Sequence, residues 1–521
     1  MTAPADLIVR AERLYALTSR PPVEAMLVRA GRVVHAGTID DVRALAAPGA
    51  RTLEAPGLTV TPGFHDAHVH LGYHGLERRQ VALADTASLA EAAERIRQAA
   101  AATPDGWLQG SGFSVHRWSD VPHRDALDAA APGRPVLLRS QDHHAGLASS
   151  EALKLAGVTD STPDPVGGRF ERDQEGRLTG YLLESAVAEV AAAIPPLAAP
   201  QMREVLDEAA AHFASMGVTT VHHMAYEPSE HARAIAQAAS DPSFGLRVWS
   251  CIPQEHLEAA RDAGLATGIG GDRYQVGGAK FFLDGALGSM TAAMLAPYGP
   301  HGGVGDRMFE PEALQERVHL AVASGFTPVA HAIGDDAVRM LLDAYEATEP
   351  AWRAAGLTPR VEHAQHVHPD DVERLGRMGL VASMQPLHLV FDVPTVRALL
   401  ADRQDRAYPF RSLQAAGATL AFGSDTPVAP PDVWGSIVAA ETHAAPGDAP
   451  LNDHERIDRM AAVHAYTQGA AQAIAWQHRS GRLDAMSDAD FVLWSSDPLD
   501  AAGPNPQVQA TYLAGEPTYE A

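Results

Sequence analysis

Residues 61–75 read TPGFHDAHVHLGYHG, a strand-like stretch that carries four histidines and one aspartate. His68 and His70 are two residues apart, so on a strand their side chains share one face. Asp66 has the same parity and could orient one of the imidazoles. A lone histidine is usually a core or surface residue, and one H-x-H pair favours a metal site only modestly. The stretch predicts an inner strand whose role depends on what the neighbouring strands bring.

The rest of the chain alternates apolar strand patterns with helical patterns, which is typical of a parallel sheet. The eight strand candidates are LTVTPGFHDAHVHL, VTTVHHM, LRVWSCI, YQVGGAKFFLDG, FTPVAHAIG, RVEHAQ, LVASMQP and ATLAFGSD. Eight such units predict an α/β fold of the (β/α)₈ TIM-type barrel class, whose active site lies at the carboxyl ends of the strands.

Short strand patterns at both chain ends predict a small β-sandwich beside the barrel. We expect residues 1–60 and 480–521 to form this discontinuous domain, because neither end could bury a core alone. The barrel is expected over residues 61–479. The stretch from about 75 to 215 is too long for one βα connection, so it predicts an α/β insertion after barrel strand 1 that covers the barrel mouth.

The composition excludes several classes of site and partner. With 40 Lys+Arg against 65 Asp+Glu, the 521 residues carry a formal net charge of −25, which disfavours nucleic acids and anionic membranes. Cys251 is the only cysteine, so thiolate zinc sites and intrachain disulfides are excluded. The first residues lack a signal-peptide pattern, and no apolar run approaches the roughly 20 residues that span a bilayer. We expect a cytoplasmic protein with a small-molecule substrate, and a homodimer stays open.

Further residues of metal-ligand type recur at the same level of the predicted barrel. His331, His363 and Asp425 end the predicted strands FTPVAH, RVEH and ATLAFGSD. Three histidine-bearing strands and a terminal aspartate predict one metal site at the carboxyl ends of the strands. Asp425 has an alternative interpretation as the N-cap of the following helix. We assign His366 and His368 to the start of the next helix rather than to the metal.

Lys280 lies between apolar residues of GGAKFFLDG, on the predicted fourth strand. A buried lysine is costly unless it is neutralised, paired or modified. Two interpretations stay open. Its ammonium could pair with Asp284 or another acid, or it could carry a carboxyl group from CO₂ and bridge two metals as a carbamate.

Substrate contacts are predicted at the barrel mouth. His388 follows the predicted seventh strand and could donate a hydrogen bond to a substrate oxygen, with a solvated loop histidine as the alternative. Asp142, His144 and Trp118 lie in the predicted insertion and could line the roof of the site. An aromatic residue there could equally belong to the core of the insertion.

As a set, these motifs resemble the metal-dependent amidohydrolase superfamily, and within it the YtcJ-like (amidohydrolase 3) branch, similar to N-substituted formamide deformylases. The matching stretches, in order within residues 56–515, are PGFHDAHVHL, AKFFLDGALGSMTAAML, VAHAIGD, RVEHAQ, SMQPLH, FGSDTPV and GRLDAMSDADFVLW. The resemblance implies the barrel-plus-sandwich architecture. It also implies six metal-ligating positions, which are His68, His70, Lys280 in carboxylated form, His331, His363 and Asp425. His143, His223 and Met290 depart from the pattern of the branch, which weakens the transfer of any substrate by analogy.

The expected function is hydrolysis of a non-peptide C–N bond in an N-substituted amide, a formamide or a cyclic amide. One or two Zn²⁺ ions, or other divalent metals, would generate hydroxide near neutral pH. Asp425 would be the catalytic base and then the acid toward the leaving amine, with Lys280 as the second catalytic residue in the metal site. The alternatives are a deaminase, lyase or isomerase on the same site, and a metal-stabilised binding protein without turnover.

Overall fold

The computed structural model describes residues 6–18, 21–103, 105–115, 117–118, 120–140, 145–300 and 302–521. The chain divides into two compact units, one formed by Met1–Tyr73 with Leu206–Ala521 and the other by His74–Val205. Among the described residues, no helix is both long enough and apolar enough to cross a membrane.

Strands and helices are numbered in chain order. The strands are β1 (Leu7–Leu14), β2 (Val23–Arg29), β3 (Arg32–Gly37), β4 (Arg51–Pro62), β5 (Phe64–Val69), β6 (Val81–Ala82), β7 (Leu108–Phe113), β8 (Val136–Ser140), β9 (Ala145–Ala148), β10 (Gly168–Arg172), β11 (Leu178–Glu184), β12 (Val218–His223), β13 (Arg247–Pro253), β14 (Tyr274–Phe282), β15 (Pro328–Ala332), β16 (Arg360–His363), β17 (Val381–Met384), β18 (Thr419–Phe422), β19 (Phe491–Trp494), β20 (Val508–Leu513) and β21 (Glu516–Glu520). The α-helices are α1 (Ile39–Leu45), α2 (Leu71–Arg78), α3 (Leu89–Ala102), α4 (Arg124–Ala130), α5 (Ser150–Leu155), α6 (Ser185–Ala191), α7 (Ala199–Ser215), α8 (Ser229–Ser240), α9 (Leu257–Asp262), α10 (Pro311–Ala323), α11 (Asp335–Ala354), α12 (Pro369–Met378), α13 (Pro386–Leu399), α14 (Phe410–Ala416), α15 (Val433–Thr442), α16 (Arg459–His464) and α17 (Ala470–Ala473).

The first unit contains a parallel barrel of eight strands. They pair in the order β5, β12, β13, β14, β15, β16, β17, β18, which is the order of the eight segments predicted from the sequence. Two backbone hydrogen bonds join β5 to the segment after β18, from Asp425 N to His68 O (2.7 Å) and from His70 N to Thr426 O (2.9 Å). The predicted (β/α)₈ class is confirmed, and this junction sets the end of β5 beside Asp425.

Local sequence explains where the helices around the barrel begin and end. His368 caps α12, because its Nδ1 accepts the N–H of Asp370 (3.3 Å), and Pro369 takes the first helical position, where no backbone N–H is needed. Gly379 and Gly417 follow α12 and α14 with φ of 65° and 100°, a left-handed conformation that glycine adopts without strain. His368 therefore belongs to a helix start, as predicted.

Strands from both chain ends form a seven-stranded sheet in the order β21, β20, β19, β4, β1, β2, β3. β4 lies at its centre, pairing in parallel with β1 and antiparallel with β19. Val9, Met26, Phe491 and Tyr512, from both halves of the sheet, share one apolar core. The end strands therefore form one hydrogen-bonded sheet folded around a common core. The exact domain limits given above stay predictions.

A buried ion pair ties this sheet to the amino-terminal end of the barrel. Arg247, the first residue of β13, donates from Nε to Asp490 Oδ2 (2.6 Å) and from Nη2 to Asp490 Oδ1 (3.0 Å). Gly63, which links β4 to β5, donates its N–H to the backbone oxygen of Asp490 (2.9 Å). Charge-assisted bonds of this kind are stronger than neutral ones, so the ion pair holds Asp490 in place. Because Gly63 is bound to Asp490, the start of β5, the strand that carries His68, is held as well.

The second unit, His74–Val205, is built on a six-stranded sheet in the order β10, β11, β9, β8, β7, β6. Val136 and Leu138 of β8 pack into one apolar cluster and Leu137 into another, so both faces of the sheet are covered. That the stretch from about 75 to 215 covers the barrel mouth stays a prediction.

Trp118 lies in the first of these clusters and is buried there. Its ring stacks on Phe113 with centroids 4.7 Å apart, and its Nε1–H donates to Thr86 Oγ1 (3.1 Å). Because its one polar atom is already bound, we assign Trp118 to the core of the insertion, the alternative interpretation, and not to substrate binding. Asp142, His143 and His144 lie outside the described residues.

Candidate metal centre

Four histidines meet at the carboxyl ends of the barrel strands. His68 lies in β5 and His70 directly follows it, while His331 comes from β15 and His363 from β16. Ring centroids are 4.4 Å apart for His331 and His363, 4.9 Å for His68 and His363, and 6.0 Å for His68 and His70. Imidazole is the commonest side-chain metal ligand, so this grouping is suited to an ion.

Asp425 completes the group. Its Oδ1 lies 3.4 Å from His68 Nε2 and 3.6 Å from His70 Nε2. Ligand atoms of His68, His363 and Asp425 all lie within 4.8 Å of one another. The N-cap of the next helix, α15, is Asp432, whose side chain accepts the N–H of Gly435. The structure therefore contradicts the alternative interpretation of Asp425 as that cap.

Left-handed backbone at the strand ends aims two of these side chains. His363 has φ of 74° and Asp425 has φ of 61°, a conformation that costs a non-glycine residue on the order of 1–3 kcal/mol. On a regular strand Glu362 and His363 would face opposite sides. The left-handed turn at His363 breaks this alternation, so both side chains reach His68.

One nitrogen of each imidazole is bound to an oxygen. His68 Nδ1–H donates to Glu362 Oε2 (2.7 Å), and His70 Nδ1–H donates to the backbone oxygen of Ala225 (3.1 Å). Because these oxygens only accept, the proton of each neutral ring sits on Nδ1. Nε2 of both rings is left unprotonated, on the side of Asp425.

The histidines of β15 and β16 are fixed in the same way. His331 Nε2–H donates to the backbone oxygen of Gly285 (3.0 Å), which leaves Nδ1 unprotonated. His363 Nδ1–H donates to Gln385 Oε1 (2.8 Å), and the amide of Gln385 is oriented by its own bond to the backbone oxygen of Ser383 (3.4 Å). In the neutral form of each ring, the four imidazoles thus have one unprotonated nitrogen, with the tautomer set by a bonded oxygen.

Lys280 lies on β14 and is fully buried. Its Nζ makes no hydrogen bond with any residue in the described part of the chain. The carboxylate of Asp284 is bound elsewhere, at 2.8–3.1 Å from the backbone N–H groups of Ala293, Ile333 and Gly334. The structure contradicts the pairing of Lys280 with Asp284, and a buried amine without a hydrogen bond is what a modified or metal-bridging lysine would leave.

Burial controls the protonation of the site. It lowers the pKa of His70 to about 4 and holds the pKa values of His68 and His363 well below their usual range. Burial raises the pKa of Asp425 to about 7, against the opposing charge of Lys280. Burial also lowers the pKa of Lys280. At neutral pH His68, His70 and His363 are therefore uncharged, which is the form that binds metals.

His388, the predicted substrate contact, lies in α13 beside the site. Its ring is parallel to that of His363 (10° between planes, centroids 6.1 Å apart), and its Nε2 lies 3.8 Å from Asp425 Oδ2. Gln365 Nε2 donates to His388 Nδ1 (3.2 Å), so the proton of His388 sits on Nε2. Burial lowers the pKa of His388 to about 4. The residue is thus a neutral N–H donor that faces the space next to Asp425.

Glu362, Gln365 and Gln385, which orient three of these imidazoles, were not anticipated from the sequence. Glu362 had a detectable signal, because Arg360 and Glu362 share one face of a buried strand and two buried charges need each other. The glutamines follow their strands without any spacing that would single them out.

Asp66 has a different role from the one expected. Its Oδ1 accepts the backbone N–H groups of His68 (3.2 Å) and Ser424 (2.8 Å). It therefore orients the backbone across the junction between β5 and β18, and not an imidazole.

Two of the departures from the branch's pattern can be located. His223 is fully buried at the end of β12, with its Nδ1 3.7 Å from Glu227 Oε1. Met290, in the connection after β14, is about half exposed. Neither side chain is part of the group formed by the four histidines and Asp425.

His366 lies outside this group, and its ring nitrogens make no hydrogen bonds with the described residues. Burial lowers the pKa of His366 to about 3, with the charges of Arg403 and Arg406 acting in the same direction. In the unfolded chain the pKa of histidine is about 6.5. Above that pH both states are neutral, whereas below it the unfolded chain takes up a proton that the folded chain excludes.

We expect the free energy of unfolding to fall as the pH drops from about 6.5 toward 3, by up to about 1.4 kcal/mol per pH unit for this one group. The variant His366→Leu should lose less stability over this interval than the wild type. Urea unfolding at pH 7.5 and 5.5 measures both losses. Equal losses in the two proteins would contradict the assignment of a buried neutral imidazole.

A (β/α)₈ barrel that gathers imidazoles and a carboxylate at the carboxyl ends of its strands has the arrangement typical of metal-dependent barrel enzymes. The particular family follows from comparison with known proteins. The chain belongs to the Amidohydrolase family, whose model matches residues 51–519. It is therefore an enzyme, a hydrolase that acts on carbon–nitrogen bonds, and the resemblance seen in the sequence motifs is confirmed.

Relatives and a solved structure match over almost their whole length. The putative amidohydrolase YtcJ of Bacillus subtilis (strain 168) is 30% identical, over 95% of this chain and 96% of its own. The N-substituted formamide deformylase of Arthrobacter pascens is 30% identical, over 100% of this chain and 99% of its own. An uncharacterized metal-dependent hydrolase from Pyrococcus horikoshii OT3 superimposes with a TM-score of 0.82 at 25% identity, over 95% of this chain and 99% of that one.

Proposed function

We propose that the protein hydrolyses a non-peptide C–N bond in an N-substituted amide, a formamide or a cyclic amide, with Zn²⁺ held by His68, His70, Lys280, His331, His363 and Asp425. One observation carries the proposal: the imidazoles of His68, His70 and His363 meet at the buried carboxylate of Asp425, with the ring of His331 against that of His363. The name of the formamide deformylase, which this chain matches from end to end, supports the choice of substrate class.

The donor set fits zinc. Neutral imidazole and carboxylate are zinc ligands, and Lys280, whose buried Nζ makes no hydrogen bond with the described residues, would complete them as a carbamate. Burial lowers the pKa of Lys280, and the neutral amine is the form that adds CO₂. When bound, zinc supplies a Lewis acid and lowers the pKa of water to about 7.

Asp425 is the proton carrier of the proposed reaction. Its Oδ1 faces His68 and His70, while its Oδ2 faces His388. A carboxylate between the metal ligands and a substrate contact can accept a proton from the attacking water. It can then deliver that proton to the leaving nitrogen.

His388 is the proposed donor to the substrate oxygen. Gln365 fixes its proton on Nε2, and this N–H faces Asp425 Oδ2 at 3.8 Å without a hydrogen bond to any described residue. A neutral, pre-oriented donor stabilises negative charge that develops on an amide oxygen.

The test is a substrate panel with the purified protein. N-alkyl and N-aryl formamides, N-substituted acetamides and five-membered cyclic amides are incubated with the protein as isolated, after chelator treatment and after return of Zn²⁺. We expect one class to give carboxylic acid and amine in equal amounts, with loss on chelation and recovery with zinc. Ammonia released from a ring would point to a deaminase instead. Full activity after chelator has removed all metal would overturn the proposal.

A further inference from the structure

A charged side chain crosses the interior of the barrel below the site. Arg360 starts β16, is fully buried, and reaches groups on three other strands. Its Nη2 donates to the backbone oxygen of Ala67 (2.7 Å) and to Ser383 Oγ (3.0 Å), and its Nη1 donates to His222 Nδ1 (3.0 Å). Barrel interiors are usually filled with branched apolar side chains, so a buried guanidinium here calls for a role.

On one side of Arg360, hydrogen bonds run through His222 and His65 to Ser480, and each residue donates to the next. Since His222 Nδ1 accepts from Arg360, its proton sits on Nε2, which donates to His65 Nδ1 (3.3 Å). His65 must then carry its own proton on Nε2, which donates to Ser480 Oγ (2.6 Å). Burial lowers the pKa of His65 to about 3 and that of His222 well below its usual range, so both rings stay neutral. The guanidinium thus sets the tautomer of two further imidazoles.

On the other side Arg360 holds Glu362. Its Nε donates to Glu362 Oε1 (2.7 Å) and its Nη2 to Glu362 Oε2 (3.1 Å). Glu362 Oε2 is also the acceptor for His68 Nδ1–H (2.7 Å). Both carboxylate oxygens of Glu362 therefore accept hydrogen bonds. Because Nδ1 of His68 donates to Glu362, Nε2 is the nitrogen that faces the site.

This arrangement cannot conduct protons from the site to Ser480, because arginine does not lose its proton in proteins. Its effect is geometric and electrostatic. The bonds from Arg360 hold the Glu362 carboxylate in place, and Glu362 Oε2 accepts the proton that His68 carries on Nδ1.

We propose that Arg360 and Glu362 are positioning residues that hold His68 with an unprotonated Nε2 facing Asp425 before any metal arrives. The inference rests on the proposed metal function of His68 and goes beyond it, since it assigns the preformed state of the site to a pair that touches neither metal nor substrate. Carboxylates that orient a metal-binding histidine in this way typically affect metal affinity about 10- to 100-fold.

The test is Glu362→Gln, which keeps the size of the side chain and removes one acceptor. An amide has one oxygen, whereas this position faces donors from Arg360 at both oxygens and from His68 at one. Either orientation of the amide sets its NH₂ against a guanidinium N–H, and one of the two also reverses the tautomer of His68. We expect Zn²⁺ affinity, measured by competition with a chelating dye, to fall about 10- to 100-fold.

The matched control is Glu455→Gln. Glu455 is buried to a similar degree, but it bonds the backbone N–H and the hydroxyl of Ser412, away from the site. Its zinc affinity should equal that of the wild type. Equal affinity in Glu362→Gln and the wild type would overturn the proposal.

A second measurement leaves Arg360 and Glu362 unchanged. Nitrogen NMR of the metal-free wild type, labelled with ¹⁵N-histidine and assigned by the signal lost in His68→Asn, reports which nitrogen of His68 carries the proton. A pure Nδ1–H form is expected, and an Nε2–H form or a mixture would overturn the positioning role. Failure of the wild type to bind zinc at all would instead contradict the proposed function, so the two failures are distinguishable.

Discussion

Asp425→Asn should lower kcat about 10²- to 10⁴-fold and leave the zinc content at the wild-type value, because the amide keeps an oxygen ligand but cannot accept a proton at neutral pH. The carboxylate lies between His68 Nε2 and His388 Nε2, at 3.4 Å and 3.8 Å from its two oxygens. Kinetics on the substrate that the panel identifies, together with elemental analysis of the same preparation, give both quantities.

The chain offers a control for this variant in the same connection. Asp432 caps α15 through a bond to the N–H of Gly435 (2.8 Å), and asparagine caps helices as well as aspartate does. Asp432→Asn should therefore keep both turnover and metal. If Asp425→Asn retained near full turnover, the proton would have to be carried by another group and the assignment would be wrong.

Lys280→Met should lose zinc and activity while the metal-free protein becomes more stable to heat. The wild type buries an amine that makes no hydrogen bond among the described residues, and an unpartnered buried amine is expensive. Methionine fills a similar volume without that cost. Elemental analysis and scanning calorimetry after chelator treatment measure the two effects, and for a chain of 521 residues the rise in Tm should be about 1–3 °C for a gain of about 1–3 kcal/mol.

Lys280→Ala extends this test. A short carboxylic acid such as propionate, supplied in the buffer, should partly restore zinc binding in the alanine variant because it can take the place of a carbamate. Unchanged zinc content in Lys280→Ala would remove the residue from the metal site. Loss of zinc without rescue would leave Lys280 in the site but weaken the carbamate interpretation.

The sequence was sufficient for the barrel because its signals are local and repeated. Each of the eight strands shows a short apolar run, and residues such as His331 and Asp425 stand at the ends of those runs. Parallel strands share one carboxyl edge, so placement at the strand end is enough to predict that such residues meet. His68, His70, His331, His363 and Asp425 do come together, although their catalytic and metal roles stay predictions.

The residues that orient the imidazoles could not be read from the sequence in this way. Gln365 and Gln385 act through bonds whose partners are fixed only when the barrel closes. The left-handed φ of His363 could not be predicted either, because no residue in RVEHAQ indicates that the regular alternation of side chains along the strand ends there. The sequence left two interpretations of Trp118 open for a related reason, since an aromatic residue in an insertion has the same sequence signal whether it contacts a ligand or packs in a core.

β4, at the centre of its sheet, gains its last neighbouring strand only late in synthesis. β4 runs through Gly63 into the strand that carries His68, yet one of its edges is covered by β19, which the ribosome makes after every barrel strand. At about 5–20 residues per second, the more than 400 residues between β4 and β19 take tens of seconds to translate. Throughout that time the edge of β4 that pairs with β19 has no partner strand, directly before the strand that carries His68. A chaperone that shields this edge during synthesis would therefore protect the strand that leads into β5.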